Sequence, residues 1–304
     1  MKPLFAAFLV ALCACGDGDA GGDADADVGG FECTPGGTFD LNGRAGVLGL
    51  LNVHINASGL VETDTTSELL LMMDAVHEGK DVGVTASLCA IEIPNVPIAG
   101  QDKPIEFDVP DETVASVGAV EGAGVLSSAD ENCATFVTDT FTIVIGARLN
   151  PIETAELPGA DDDGNFPSCA PTPETSCDLA IGVNCACDQE SDGSPGATLR
   201  AANVPVVDLD EVYVTLRTQF SLDGVVVNSD SIIGLVDAAL QQSILGCHAA
   251  TGSDCTADQI GSVKQLNPEI TQQGGNPSSF RAVRIDSAMT CAELIENKDE
   301  LFPL

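Results

Sequence analysis

The sequence predicts a mainly β protein, an antiparallel sandwich or barrel with a few short helices and disulfide-tied loops. Three observations carry that prediction. Apolar and polar residues alternate with a period of two in most apolar segments, turn-forming residues separate those segments, and ten of the 12 cysteines lie beyond residue 30.

Glu211 to Asp223 is the clearest segment. Val212, Val214, Leu216, Thr218, Phe220 and Leu222 fall on one face, and Tyr213, Thr215, Arg217, Gln219 and Ser221 on the other, which is the pattern of a half-buried strand. Asp223-Gly224 then reads as a hairpin turn into Val225-Val226-Val227. Val47 to Ile55, Asp81 to Leu88 with its continuation to Ile93, Pro104 to Val109, and Thr135 to Leu149 read as further strands. Ser67 to Val76 lacks a 3.6 period, so a strand packed on both faces is preferred there. Ser231 to Leu245 fits strand or helix equally. Two capping boxes announce short helices, Thr256-Ala257-Asp258-Gln259 and Thr290-Cys291-Ala292-Glu293.

The organisation along the chain is a signal segment at 1–14, a Gly/Asp tether at 15–30, a β-rich half at 31–150, a Cys/Asp/Pro-rich connection at 151–199, and a second β-rich half with short helices at 200–304. Periodicity leaves open whether the two halves are separate or share one domain. The formal charge of −36, from 47 Asp and Glu against 11 Lys and Arg, excludes a nucleic-acid partner, because phosphate contacts need clustered cations. A hydrophobic fraction of 44% supplies enough Val, Leu, Ile and Ala for a sizeable core.

The N-terminus carries the most specific motif. Lys2 precedes an apolar run of 11 residues, Leu4 to Ala14. As a helix that run extends about 16 Å, half of a bilayer core, so it reads as a signal segment and not a span. Its ending, Leu12-Cys13-Ala14-Cys15, resembles the lipobox of bacterial lipoproteins. The resemblance implies cleavage after Ala14 and lipidation of Cys15, hence a membrane partner reached through the N-terminal lipid. In some members Asp directly after the Cys retains the protein in the inner membrane; Gly16 stands there, which points to the outer membrane. Gly16 to Gly30, with six Gly and five Asp, is too polar to fold alone and reads as a spacer.

Discounting Cys13 and Cys15 leaves Cys33, Cys89, Cys133, Cys169, Cys177, Cys185, Cys187, Cys247, Cys255 and Cys291, an even number in an exported chain, which predicts up to five disulfides. Cys247 and Cys255 are close enough in sequence to form one local bridge. Zinc is disfavoured, since Cys185-Ala186-Cys187 is too short for a zinc knuckle and the three His form no ligand pattern.

One stretch suggests an ion site. Asp188, Glu190 and Asp192 place carboxylates at every second position before Gly193, and the run resembles the Asp-rich calcium loops of EF-hand and thrombospondin-repeat type. The resemblance implies Ca²⁺ as a cofactor held by these three residues. It departs from an EF-hand at the twelfth position, where Leu199 replaces the bidentate Glu, and no helical pattern brackets it. Asp161-Asp162-Asp163-Gly164-Asn165 is a weaker candidate of the same kind.

No catalytic residues are assigned. The chain lacks a G-x-S-x-G elbow, an H-E-x-x-H pair, a Walker loop and a G-x-G-x-x-G turn, and His54, His77 and His248 have no fixed partner in sequence. The sequence is therefore read as a lipid-anchored envelope protein acting as a non-catalytic binding or structural module, with protein or apolar ligand undetermined. One alternative is a carrier of a lipid or other apolar ligand in a barrel-like cavity. Another is an envelope hydrolase with a nonstandard site.

Overall fold

The structure, a computed structural model, describes residues 33, 36–57, 61–97, 102–204, 208–265, 269–273 and 275–303. Cys15 and the Gly/Asp tether lie outside the described residues. The strands are β1 (Gly43–Ala57), β2 (Val61–Glu78), β3 (Asp81–Glu92), β4 (Glu106–Asp108), β5 (Val120–Leu126), β6 (Thr135–Thr138), β7 (Phe141–Ile145), β8 (Ala147–Arg148), β9 (Cys185–Ala186), β10 (Ala197–Ala202), β11 (Leu209–Asn228), β12 (Ser231–Ala249), β13 (Ser253–Asp254), β14 (Glu269–Gln272) and β15 (Ser279–Arg284). Four short helices accompany them: α1 (Asp111–Ser116), α2 (Ala257–Gln265), α3 (Cys291–Glu296) and α4 (Lys298–Leu301).

Eight strands close into one barrel. β1, β2, β3, β5, β6, β11, β12 and β15 pair antiparallel in chain order, and β15 returns to β1. Closure leaves these strands without a continuous free edge. Five staves come from the first β-rich half and three from the second, so the two halves share one core and one sheet.

Alternation decides which side chains fill that core. Along β3 Val82, Val84, Ala86 and Leu88 are buried, and they meet Val47, Leu71 and Met73 from β1 and β2, Phe136 from β6, Leu222 and Val226 from β11, and Phe280 from β15. Outward positions on these strands include the exposed acids Asp74, Asp81, Glu121 and Asp223. Val125 and Val137 are also exposed, but they lie in one cross-strand row with Asp81 on one side and Asp223 on the other.

Two outer patches of the barrel are covered. The C-terminal helices lie over β1 to β3, where Leu294 and Phe302 bury Leu48 and Leu70, and the Cys89–Cys291 disulfide fastens α3 to β3. Lys298 adds an ion pair to Glu68 at 2.6 Å. On the far side the connection covers β11: Thr215 donates to the Pro158 carbonyl at 2.7 Å, and Arg217, only 6% exposed, donates to the carbonyls of Ile152 and Ala155 and to the Gln241 side chain. Burial under this cover pushes the Tyr213 phenol up to about 12. These contacts explain why outward residues of β11 are buried although their alternation marks them as the wet face.

The expected turn at Asp223-Gly224 is not a turn. β11 runs on to Asn228, and the hairpin lies at Ser229-Asp230. Gly224 instead sits directly opposite Gly234 of β12. The aromatic ring of Phe280 lies over both, so these glycines serve close backbone approach and not a reversal. Ser231 to Leu245 and Ser67 to Val76 are both strands. Thr135 to Leu149 is three strands, interrupted at Asp139-Thr140 and again at Gly146, whose φ of +77° and tight fit against the Val214 carbonyl require glycine. Both capping boxes form. Thr256 and Gln259 exchange bonds at the start of α2, and Thr290 and Glu293 do so at α3.

Candidate functional site

The connection is organised by two disulfides and a group of carboxylates. Cys169–Cys185 and Cys177–Cys187 close loops of 16 and 10 residues and build a small core of their own with Ala180. Immediately after Cys187 the chain enters the predicted loop. Asp188 is 2% exposed, and its carboxylate accepts from the backbone N–H groups of Ser191 at 2.7 Å, Asp192 at 3.3 Å and Gly193 at 2.9 Å. The loop can turn this tightly because Ser191, Gly193 and Gly196 all adopt positive φ.

The other two carboxylates tie the loop to the barrel. Glu190 Oε1 accepts from the Thr198 N–H at 2.5 Å and from the Thr113 hydroxyl at 3.3 Å, which joins β10 and α1. Asp192 accepts from the Ser194 N–H at 2.7 Å and the Thr198 hydroxyl at 2.9 Å. Between them Gln189 takes the Gly146 N–H at 2.9 Å and donates to the Ser116 carbonyl at 3.0 Å. Burial pushes the Asp188 and Glu190 carboxyls above their ordinary range, and the charge of Asp192 adds to both shifts.

The structure thus does bring the three predicted residues together. Five of their six carboxylate oxygens already accept hydrogen bonds from the protein; Glu190 Oε2 is buried and has none. Among the described residues no group of three or more His, Cys, Asp or Glu is placed to close on a metal ion. Leu199, at the twelfth position, is buried in β10 as part of the barrel core. The second acidic loop is similar: Asp161 accepts from the N–H groups of Asp163 and Asn165 at 2.9 and 2.8 Å, and these bonds hold its carboxyl below the usual range.

The cysteine expectation is met in full. All ten are paired, as Cys33–Cys133, Cys89–Cys291, Cys169–Cys185, Cys177–Cys187 and Cys247–Cys255. The local bridge predicted from spacing is among them. The other pairings were not legible in sequence, since they follow from how the chain folds around the barrel.

The three His lie apart. His54 Nδ1 meets Asp64 at 2.8 Å, His248 Nδ1 meets Asp210 at 2.9 Å, and His77 stacks on Phe39 while its Nε2 meets the Gly79 carbonyl at 2.8 Å. Each of the hydrogen bonds named runs to a carboxylate or to backbone. The barrel interior holds a cavity of about 60 Å³ near the β11–β12 turn, lined by Val47, Met73, Val84, Phe136 and Phe280. A pocket for a lipid or drug-sized ligand runs to about 300–1,000 Å³. A polar groove of about 320 Å³ lies outside, between β12 and β14, beside Gln241, Glu269 and Thr271.

No protein-family model, curated protein or solved structure matches the chain.

Proposed function

We propose that this protein is a lipid-anchored component of the bacterial cell envelope, held at the outer membrane through Cys15, in which a disulfide-stapled barrel serves as a non-catalytic binding or structural module. The observation that carries the reading is the pairing of all ten cysteines that follow the lipobox, a state that oxidising compartments sustain and the reducing cytosol does not. The side-chain-filled interior favours a scaffold over a carrier. The Asp188–Asp192 loop fits this reading as the fastening of the connection to the barrel.

Expression with a fatty-acid probe tests the anchor. The wild-type chain takes the label and sediments with membranes. Cys15→Ser loses the label, and is released or remains as uncleaved precursor. Unchanged labelling of that variant overturns the assignment.

A further inference from the structure

The two most exposed large apolar side chains among the described residues lie on the connection. Leu179 is 76% exposed and Ile181 72%; with Val183, 56% exposed, they alternate with buried Ala180 and with Gly182. Over five residues the chain reaches at most about 14 Å, so the three exposed side chains lie close together, as one apolar ridge of the connection. Ile152, 39% exposed, belongs to the same region, because the Asn150 N–H two residues before it is held by the Asn184 side chain at 2.9 Å. Water contact at four large aliphatic side chains is unfavourable, and the ridge gains nothing for the fold by leaving them out.

The ridge is also held rigid. Cys169–Cys185 and Cys177–Cys187 flank it, the Ala170 and Ile181 backbones exchange hydrogen bonds at 2.9 and 3.0 Å, and Arg148 donates to the Ala180 carbonyl. A surface fixed in this way loses little conformational entropy when a partner covers it.

Charge identifies the occupant. Glu153 and Asp178 adjoin Ile152 and Leu179 in the chain, Glu156 and Glu174 are exposed within five residues of them, and the nearby cations, Arg148 and Arg217, are both turned inward to backbone carbonyls. A second copy would bring the same acidic rim onto itself, in a chain of charge −36. An anionic lipid surface is repelled for the same reason.

We propose that Leu179, Ile181 and Val183, with Ile152, form a docking surface for a basic protein, one that places apolar side chains on the ridge and Lys or Arg over Glu153, Glu174 and Asp178. The proposal rests on the binding-module reading but not on the lipid anchor, so the Cys15→Ser result leaves it untouched.

The test uses the folded chain and two fluorescent peptides at physiological salt, an amphipathic helix of Leu and Lys and an oligolysine of equal charge. Wild type binds the amphipathic peptide at least tenfold more tightly than the Leu179→Ser, Ile181→Ser, Val183→Ser triple variant does, while oligolysine binds both proteins alike. The melting temperature reports whether the triple variant folds; Leu179→Ser alone, at the most exposed position, replaces it if not. Equal affinity of both proteins for the amphipathic peptide, or no preference of wild type for it over oligolysine, overturns the proposal. So does self-association in sedimentation that the triple variant abolishes, or ridge-dependent binding to phosphatidylglycerol vesicles.

Discussion

Gly224 and Gly234 face each other across β11 and β12 so closely that a Cβ on Gly234 would lie 2.4 Å from the Gly224 Cα and 2.2 Å from the Asp223 carbonyl oxygen. Phe280 fills the space above them, and its ring atoms would stand 2.9 Å from a Cβ on Gly224 and 2.7 Å from one on Gly234. Closure of the barrel at this point depends on two missing side chains and one large one.

Gly234→Ala should therefore destabilise by about 1–3 kcal/mol or more, the cost of overpacking a site bounded by backbone that cannot retreat. Gly261→Ala in α2 should act oppositely. Its Cβ meets nothing within 4 Å, and a helix-interior alanine is worth about 0.5–1 kcal/mol over glycine. Urea unfolding of both variants should give midpoints on opposite sides of wild type.

Loop closure ranks the disulfides. Cys89–Cys291 spans 202 residues and Cys247–Cys255 spans 8. In the chain-entropy model these separations correspond to about 5 and about 2.5 kcal/mol. Replacing Cys89 and Cys291 together by Ser should accordingly lower the unfolding free energy more than the same change at Cys247 and Cys255. The reverse order would show that α3 holds its place without the covalent link.

Glu190 sets a pH dependence whose sign follows from burial. Its folded-state pKa is raised, so the folded protein holds this proton more tightly than the unfolded chain does. Its contribution to stability is full below the unfolded pKa and is lost as pH rises through the folded one. Wild type should lose stability relative to Glu190→Gln as pH rises above the ordinary glutamate range, as read from the difference in unfolding free energy on either side of it. A constant difference would mean that Glu190 titrates as it does in the unfolded chain.

Cation dependence separates the ion-loop reading from the hydrogen-bonded one. Any cation screens a chain of charge −36, so stabilisation by Ca²⁺ alone says little. Because five of the six loop oxygens are already engaged, equal concentrations of Ca²⁺ and Mg²⁺ should raise the melting temperature equally, and Asp188→Ala should destabilise without either ion by freeing three backbone N–H groups. A calcium-specific rise that Asp188→Ala with Asp192→Ala removes would restore the ion-binding loop, since Ca²⁺ accepts the irregular oxygen shell that Mg²⁺ resists.

Period-two alternation was enough to mark β1, β3 and β11 as strands, and both capping boxes were readable because each is a contact within four residues. The Asp188 loop was legible as a group of carboxylates but not in the hydrogen bonds that tie it to the barrel. Spacing brings acids together, whereas two of the groups that fasten the loop, Thr113 and Gly146, come from elements far away in the chain. The ridge at Leu179, Ile181 and Val183 carried no sequence signal, since an apolar residue in a loop is ordinary until its exposure is known.

What the sequence determined by itself was local or compositional: strand period, helix starts, the count of cysteines able to pair, the lipobox-like ending and the strongly acidic net charge. Tertiary structure alone decided that both halves share one barrel, that Gly224 lies within a strand, and that Thr215 and Arg217 are buried under the connection. The physical reason is the range of the forces concerned. Alternation and capping act between neighbours in the chain, but burial and close backbone approach depend on which distant strand arrives alongside, and only closure of the barrel settles that.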